Sequence, residues 1–293
     1  TAAIGRILEE DGVIKSARQF KIKSRMDKND GKYRTGVYEL SPSMDMDEIM
    51  QILMDGSQNT LRFMVPEGYT LKQIADKFAE TGNGTAEDFL NETQNGDFDF
   101  EYNDQMVDGE KRYEGFLYPD TYEIYKNESA HGIIQRMLTR FEQVYDAAAD
   151  EATVDTSKYS VFDLVTVASL IEREVKLDEE RPLVASVIYN RLNKNMKLQM
   201  CSTVQYALGT PKARLMNSDL KIDSPYNTYQ NAGLPAGPIA SPGQASISAA
   251  LHPADTDYLY FVLTSAGSGK HNFASTGDDF SSYREDYLAS LTE

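Results

Sequence analysis

The carboxyl group of Glu172 lies in a stretch whose apolar residues recur with a helical period. Residues 161–175 have the hydrophobic period of an amphipathic helix, and Glu172 falls on its apolar face, between Ala168 and Val175. The apolar positions of that face are Val161, Leu164, Val165, Ala168, Ile171 and Val175. An ionised carboxylate on such a face is costly unless it is paired. The same surroundings keep a carboxylic acid protonated, which is the form that a general acid needs.

Two interpretations of Glu172 follow from this placement. It is either a general acid or a buried carboxylate that an Arg or Lys side chain neutralises. The spacing alone does not decide between them, because Glu172 would lie on the same face of the helix in either role.

Composition excludes several other kinds of chemistry. The net charge of −17 opposes binding to nucleic acid, and the 29 Lys and Arg residues form no dense run that suggests an anionic membrane surface. The single cysteine, Cys201, forbids an internal disulfide. The histidines, His131, His252 and His271, are too far apart in sequence for a local metal motif, so no metal site is expected.

The elements that must position Glu172 begin with a weak internal repeat of a strand, a turn and a helix. In the first unit Tyr38 and Leu40 lead to a helix that Asp45 caps and Gly56 ends. In the second unit residues 61–65 alternate as a strand, and a helix follows between a cap at Thr70 and Gly82.

The remaining organisation follows from composition and period. Residues 82–112 are rich in Gly, Asn and Asp, which is typical of a loop-rich connection. We therefore predict an N-terminal region over 1–81, a connection over 82–112 and a main domain over 113–293, in the α+β class. No run approaches the roughly 20 apolar residues of a membrane-spanning helix.

The second N-terminal unit, EGYTLKQIADKF, resembles the LysM motif, a small carbohydrate-binding module. Leu71, Ile74 and Phe78 stand at its apolar positions. These residues would also form the core of any small αβ unit, so sugar binding does not follow from them.

The main domain resembles the YceG-like family, the endolytic murein transglycosylases. The stretches that carry the resemblance are ASLIEREV, RPLVASVIYNRLNKN, MKLQMCSTVQYALG, EGFLYPDTY (114–122) and the loop and strand region 224–273. The resemblance implies an α+β fold in which small LysM-like αβ units precede a mixed α/β catalytic domain, and it maps the family's catalytic glutamate onto Glu172.

The resemblance also implies residues that line a glycan groove. They are Gln199, Ser202, Thr203, Tyr226, Asn227, Thr228 and Tyr229. Glu114 is a further candidate, either as a second acidic participant or through a structural hydrogen bond to the PDTY turn. Two departures weaken this map: Cys201 replaces a small polar or acidic residue, and the segment around Phe280 lacks a histidine.

The implied reaction cuts peptidoglycan glycan strands between N-acetylmuramic acid and N-acetylglucosamine. The C6 hydroxyl of the muramic acid replaces water, which gives a 1,6-anhydro end and requires neither metal nor organic cofactor. The implied location is the extracytoplasmic face of the bacterial cell membrane, with an N-terminal anchor missing from this chain and cell-wall synthesis proteins as candidate partners.

Two alternatives belong to other classes. One is a noncatalytic peptidoglycan-binding module in which Glu172 is structural. The other is aminodeoxychorismate lyase, an older label of the family, which would require pyridoxal phosphate and a Schiff-base lysine. No lysine of the sequence has surroundings that suggest that role.

Overall fold

The computed structural model describes residues 1–36, 38, 40–56, 60–150, 152–210, 212 and 215–291, and its class is α+β. The helices are α1 (Ala2–Glu10), α2 (Ala17–Met26), α3 (Met46–Asp55), α4 (Leu71–Glu80), α5 (Ala86–Asn95), α6 (Ala130–Ala149), α7 (Val161–Glu174), α8 (Arg181–Asn193), α9 (Cys201–Leu208), α10 (Gln244–Leu251) and α11 (Gly277–Ser290). The strands are β1 (Thr60–Met64), β2 (Thr121–Tyr125), β3 (Tyr260–Leu263) and β4 (His271–Ala274).

The first three helices have a hydrophobic core of their own. Its buried members are Leu8, Ile14, Phe20, Ile49, Met50 and Leu53. Helix α3 begins at the predicted cap, where Asp45 and Glu48 exchange hydrogen bonds in a capping box, and it ends at Gly56 with a φ of 83°. The strand expected at Tyr38 and Leu40 runs through residues 37 and 39, which lie outside the described residues.

The second unit is larger than the sequence predicted. Strand β1 pairs antiparallel with β2, so the chain forms a strand, two helices and a strand over residues 60–125. The loop-rich connection expected at 82–112 is incorrect over Ala86–Asn95, which form α5. Its Gly-, Asn- and Asp-rich composition concealed a capping box between Thr85 and Asp88 and a fully buried Phe89.

The main core extends from β1 to α10 and surrounds α7. The predicted helix at 161–175 is confirmed as Val161–Glu174, and a capping box between Ser160 and Asp163 starts it. Helix α10 packs against α7, α6 and α8, while α11 covers the β3–β4 hairpin. All residues from Leu164 to Ile171 are buried, so α7 is enclosed until its last turn. Within the described ranges, no helix is long and apolar enough to cross a membrane.

Candidate active site

Glu172 lies in the last turn of α7, where the buried helix approaches the surface. Its side chain is 9% exposed. The enclosed part of α7 fixes the backbone below Glu172, and the helix ends two residues later at Glu174. The carboxyl group is therefore held by a rigid element and still reaches the edge of the core.

Three donors converge on one oxygen of this carboxyl group. Glu172 Oε2 accepts hydrogen bonds from Arg181 Nη1 at 3.2 Å, from the backbone N–H of Gly243 at 3.1 Å and from Ser246 Oγ at 2.8 Å. No hydrogen bond from the described part of the chain reaches Oε1. The protein therefore fixes one oxygen of this carboxyl group and leaves the other without a hydrogen bond from the described residues.

Arg181 is itself held in place. Its Nε donates to Asp178 Oδ1 at 2.9 Å, and its Nη1 also contacts Ser246 Oγ. Arg181 begins α8, and its side chain is 8% exposed. Glu172 is therefore paired with an arginine, as expected of a buried structural carboxylate. Its Oε1 atom has no hydrogen bond from the described residues, which is compatible with a general acid.

The turn at residues 66–68, between β1 and α4, closes over this region. Gly68 N donates to Ser241 O at 2.8 Å, and Ser241 N donates to Tyr69 O at 2.8 Å. Arg173, which follows Glu172 on α7, donates to Gly68 O at 3.1 Å. The strand and helix unit thus contributes backbone to the surroundings of Glu172.

This turn also carries an acidic residue near Glu172 that the sequence did not single out. The Glu67 carboxylate lies against Gly243, whose N–H binds Glu172. Burial raises the pKa of Glu67, the negative charge of Glu172 raises it further, and Arg181 acts in the opposite direction.

The predicted loop residues divide into two groups by burial. Asn227, Thr228 and Thr203 are at most 1% exposed. The Thr203 and Thr228 hydroxyls lie 2.9 Å apart, and Asn227 Nδ2 donates to the carbonyls of Leu220 and Ile222 at 3.1 and 2.8 Å. These three side chains hold the loop together from its interior.

The other predicted residues are more accessible, around the start of α9. Gln199 is exposed and has a φ of 53°, a left-handed conformation that is uncommon for a residue with a side chain. The Tyr229 hydroxyl lies 3.2 Å from Cys201 Sγ, and Ser202 N donates to Glu174 Oε1 at 3.3 Å. Burial raises the pKa of Glu174. These residues therefore contact Glu174 through Ser202, and no hydrogen bond among the described residues joins them to Glu172.

Tyr226 belongs to an aromatic cluster away from that group. Its ring lies 4.8 Å from the ring of Tyr206, and Lys111 Nζ lies 4.4 Å from the Tyr226 ring centre. The downstream part of the same loop contacts α7 directly, because Ile239 N donates to Ser169 Oγ at 3.0 Å. The loop and the Glu172 helix are therefore neighbours in the fold.

Glu114 connects two parts of the fold. Its side chain does not bond the PDTY turn as expected. Its Oε1 accepts from Leu71 N at 2.8 Å, at the start of α4, and its Oε2 accepts from Tyr206 Oη at 2.7 Å, on α9. Burial raises the pKa of Glu114 to about 7. This carboxyl group links the second unit to the main domain.

We expect Glu114→Gln to change how stability depends on pH. Because the folded-state pKa is raised from 4.5 to about 7, Glu114 favours folding below pH 4.5, and this contribution is lost as pH rises through 7. Glutamine has no charge; its oxygen can accept from Leu71 N and its NH2 group can donate to Tyr206 Oη. It therefore removes this loss, which is on the order of 3 kcal/mol at most. Urea denaturation at pH 5 and pH 8 measures it.

The variant should gain stability over the wild type from pH 5 to pH 8. Glu110→Gln, at an exposed position in the same segment, is the control and should track the wild type. Equal pH dependence in wild type and Glu114→Gln would show that this carboxyl does not titrate differently on folding.

A metal centre has no support in these contacts. Among the described residues, no group of three or more His, Cys, Asp or Glu side chains is arranged to hold a metal ion.

Comparison of the sequence with known proteins identifies the family of this chain. The model of the YceG-like family matches residues 1–286. A relative from Bacillus subtilis (strain 168), named endolytic murein transglycosylase, is 38% identical over 304 residues, which cover 100% of this chain and 83% of the relative. A relative of the same name from Streptococcus pneumoniae (strain D39) is 32% identical, and the match covers 94% of this chain and 54% of that protein.

A solved structure agrees with these matches. The crystal structure of a YceG-like protein from Listeria monocytogenes matches this chain with a TM-score of 0.65 and 36% sequence identity. The match covers 96% of this chain and 94% of the Listeria chain. Because the family model matches nearly the whole sequence and relatives above 30% identity cover it, the chain belongs to the YceG-like family.

Proposed function

We propose that this chain cleaves peptidoglycan as an endolytic murein transglycosylase, with Glu172 as its acid and base. The relatives of that name support the reaction class. The assignment to Glu172 rests on the different surroundings of its two carboxyl oxygens. Three donors fix Oε2, while Oε1 has no hydrogen bond from the described residues.

In the proposed reaction, Glu172 donates a proton from Oε1 to the glycosidic oxygen between N-acetylmuramic acid and N-acetylglucosamine. The bond from muramic C1 to that oxygen breaks, and positive charge develops on the muramic ring. The C6 hydroxyl of the same sugar then bonds to C1 and returns its proton to Glu172. The products are a 1,6-anhydro end and a free hydroxyl, and no water is consumed.

The three donors have a positioning role in this proposal. Proton transfer needs a fixed distance and direction, and one anchored oxygen sets the plane of the carboxyl group. Arg181, Gly243 and Ser246 supply that anchor from the start of α8, the residue before α10 and the first turn of α10.

The surrounding residues take one of two proposed roles. Gln199, Tyr226 and Tyr229 are accessible enough to contact a glycan, whereas the hydroxyl group of Ser202 is buried. Thr203, Asn227 and Thr228 are buried, which favours support of the loop over direct contact. The two bonds of Glu114 favour a structural role for that residue as well.

We also propose that the second unit is LysM-like. It spans residues 60–125 and so extends beyond residue 81, where the sequence predicted the end of the N-terminal region. Its capped helix α4 buries Leu71, Ile74 and Phe78, as the motif requires, and β2 completes its sheet. The separate core of α1 to α3 favours a division of the chain between residues 56 and 60.

Peptidoglycan is an extracytoplasmic polymer, so we place the activity on that side of the bacterial cell membrane. Membrane anchoring through a segment outside this chain, and contacts with cell-wall synthesis proteins, are further parts of the proposal.

Digestion of purified peptidoglycan tests the function. We expect mass spectrometry to detect new 1,6-anhydro-muramic ends, released from within strands and in the absence of added metal or cofactor. Binding to peptidoglycan without any product would instead identify a noncatalytic binding module. Reducing muramic ends in place of anhydro ends would identify a hydrolase and contradict the transglycosylase assignment.

A further inference from the structure

Glu67 reaches the surroundings of Glu172 from a different part of the fold. It lies in the turn between β1 and α4, and the residue is exposed. Its carboxylate lies so close to Gly243 that a Cβ added there would be 1.9 Å from Oε1 and 2.2 Å from Cδ. The N–H of Gly243 donates to Glu172 Oε2 at 3.1 Å. Two carboxyl groups therefore meet at one glycine.

The Glu67 carboxylate has no direct bonding partner among the described residues, and the positive charge of Arg181 only partly offsets the effects of burial and of Glu172. In the part of the chain that the structure describes, it takes part in no hydrogen bond and no ion pair. Burial and the charge of Glu172 both raise the pKa of Glu67, so its ionised form is disfavoured where it stands. Unpaired like charges near a candidate catalytic group are typical of functional sites.

The turn that carries Glu67 is fixed by its neighbours. Gly68 N donates to Ser241 O, and Gly68 O accepts from Arg173 Nη1. The residue after Glu67 is thus bonded to the loop before α10 and to α7. These contacts fix the backbone next to Glu67 and keep its side chain on the side of the site where Gly243 lies.

We propose that Glu67 is a second functional carboxylate of the site, which stabilises the positive charge that develops on the muramic ring as the glycosidic bond breaks. This inference rests on the proposed function. Glu67 acts in its ionised form, which the developing positive charge favours, and it forms no covalent bond. The proton still moves between Glu172, the glycosidic oxygen and the C6 hydroxyl. A negative charge that faces a developing cation lowers the barrier without changing the products.

The first test is Glu67→Gln. We expect kcat on purified glycan strands to fall by roughly 10- to 100-fold with KM little changed, because the charge acts on the transition state. The products should keep their 1,6-anhydro ends. The melting temperature at pH 8 should stay equal or rise, because the like-charge contact is lost. Glu87→Gln, which removes an exposed charge from the same unit, is the matched control and should retain wild-type kcat.

The second test moves Glu67 without changing its charge. Gly243→Ala adds a methyl group where the Glu67 carboxylate now lies, and the φ of −79° at Gly243 accommodates alanine. We expect it to lower kcat in a similar way while the backbone N–H still serves Glu172. The double variant should show no further loss, because both changes remove the same interaction.

Several results would overturn this inference. Wild-type kcat in Glu67→Gln, a rise in KM alone, or a fall in both melting temperature and rate would each assign Glu67 another role. Failure of the proposed function looks different, because the wild type itself would then yield no anhydro ends. Independent losses in the two single variants, which add in the double, would also contradict a shared interaction.

Discussion

Glu172→Gln is expected to reduce cleavage of glycan strands by about 10²- to 10⁴-fold, the usual contribution of a general acid or base. Its amide oxygen can accept the three hydrogen bonds that now reach Oε2. The amide nitrogen then occupies the place of Oε1 and has no acidic proton to donate. Release of anhydro-muropeptides, followed by mass spectrometry, measures the loss.

The fold should remain intact in this variant, because Arg181 keeps its ion pair with Asp178. The melting temperature should therefore fall by less than in Arg181→Met, which leaves the buried Glu172 charge without its arginine. Glu179→Gln, an exposed glutamate on the segment between α7 and α8, controls for the change in charge and should keep full activity. Near-normal cleavage by a destabilised Glu172→Gln protein would mean that the acid is another residue, with Glu67 and Glu174 the next to replace.

Arg181→Met is expected to lower both stability and activity. It removes the positive charge next to a carboxylate that is only 9% exposed, and broken buried ion pairs typically cost about 3–5 kcal/mol. Cleavage should fall as well, because Oε2 loses one of its three donors and the carboxyl group gains freedom to turn. Urea denaturation at pH 7 gives the free energy of unfolding, and the digestion assay gives the rate.

A pair of further variants identifies the cause. Glu172→Gln added to Arg181→Met should restore part of the lost stability, since the unpaired charge is then gone. Arg62→Met, at an exposed position on β1, serves as the control and should cost little. If Arg181→Met unfolds with the same free energy as Arg62→Met, the contact between Arg181 and Glu172 contributes nothing to stability.

The helix that carries Glu172 was predictable because its signals are local. A capping residue and an apolar period determine where α7 begins and which side chains it buries. The partners of Glu172 were not predictable in this way. Ser246 comes more than 70 positions later, and only the tertiary fold brings it to the carboxyl group.

Three features of the structure were not evident from the sequence, each for a different physical reason. The polar composition of residues 82–112 predicted a loop where α5 forms. A capping box and one buried phenylalanine stabilise that helix despite its polar residues. The motif match gave the loop residues but could not tell which side chains face outward, and Asn227 and Thr228 face the interior. Glu67 escaped notice because a charged residue in a turn is ordinary, and only its contact with Gly243 distinguishes it.

The paired hydrogen bonds between residues 68–69 and Ser241 have a consequence for folding kinetics. They join positions about 170 residues apart in the chain. Contacts of such long range form slowly, because a large loop must close before they can contribute. The catalytic region is therefore expected to be completed only near the end of folding. A nascent or partly folded chain would contain Glu172 on its helix and still lack the assembled site around it.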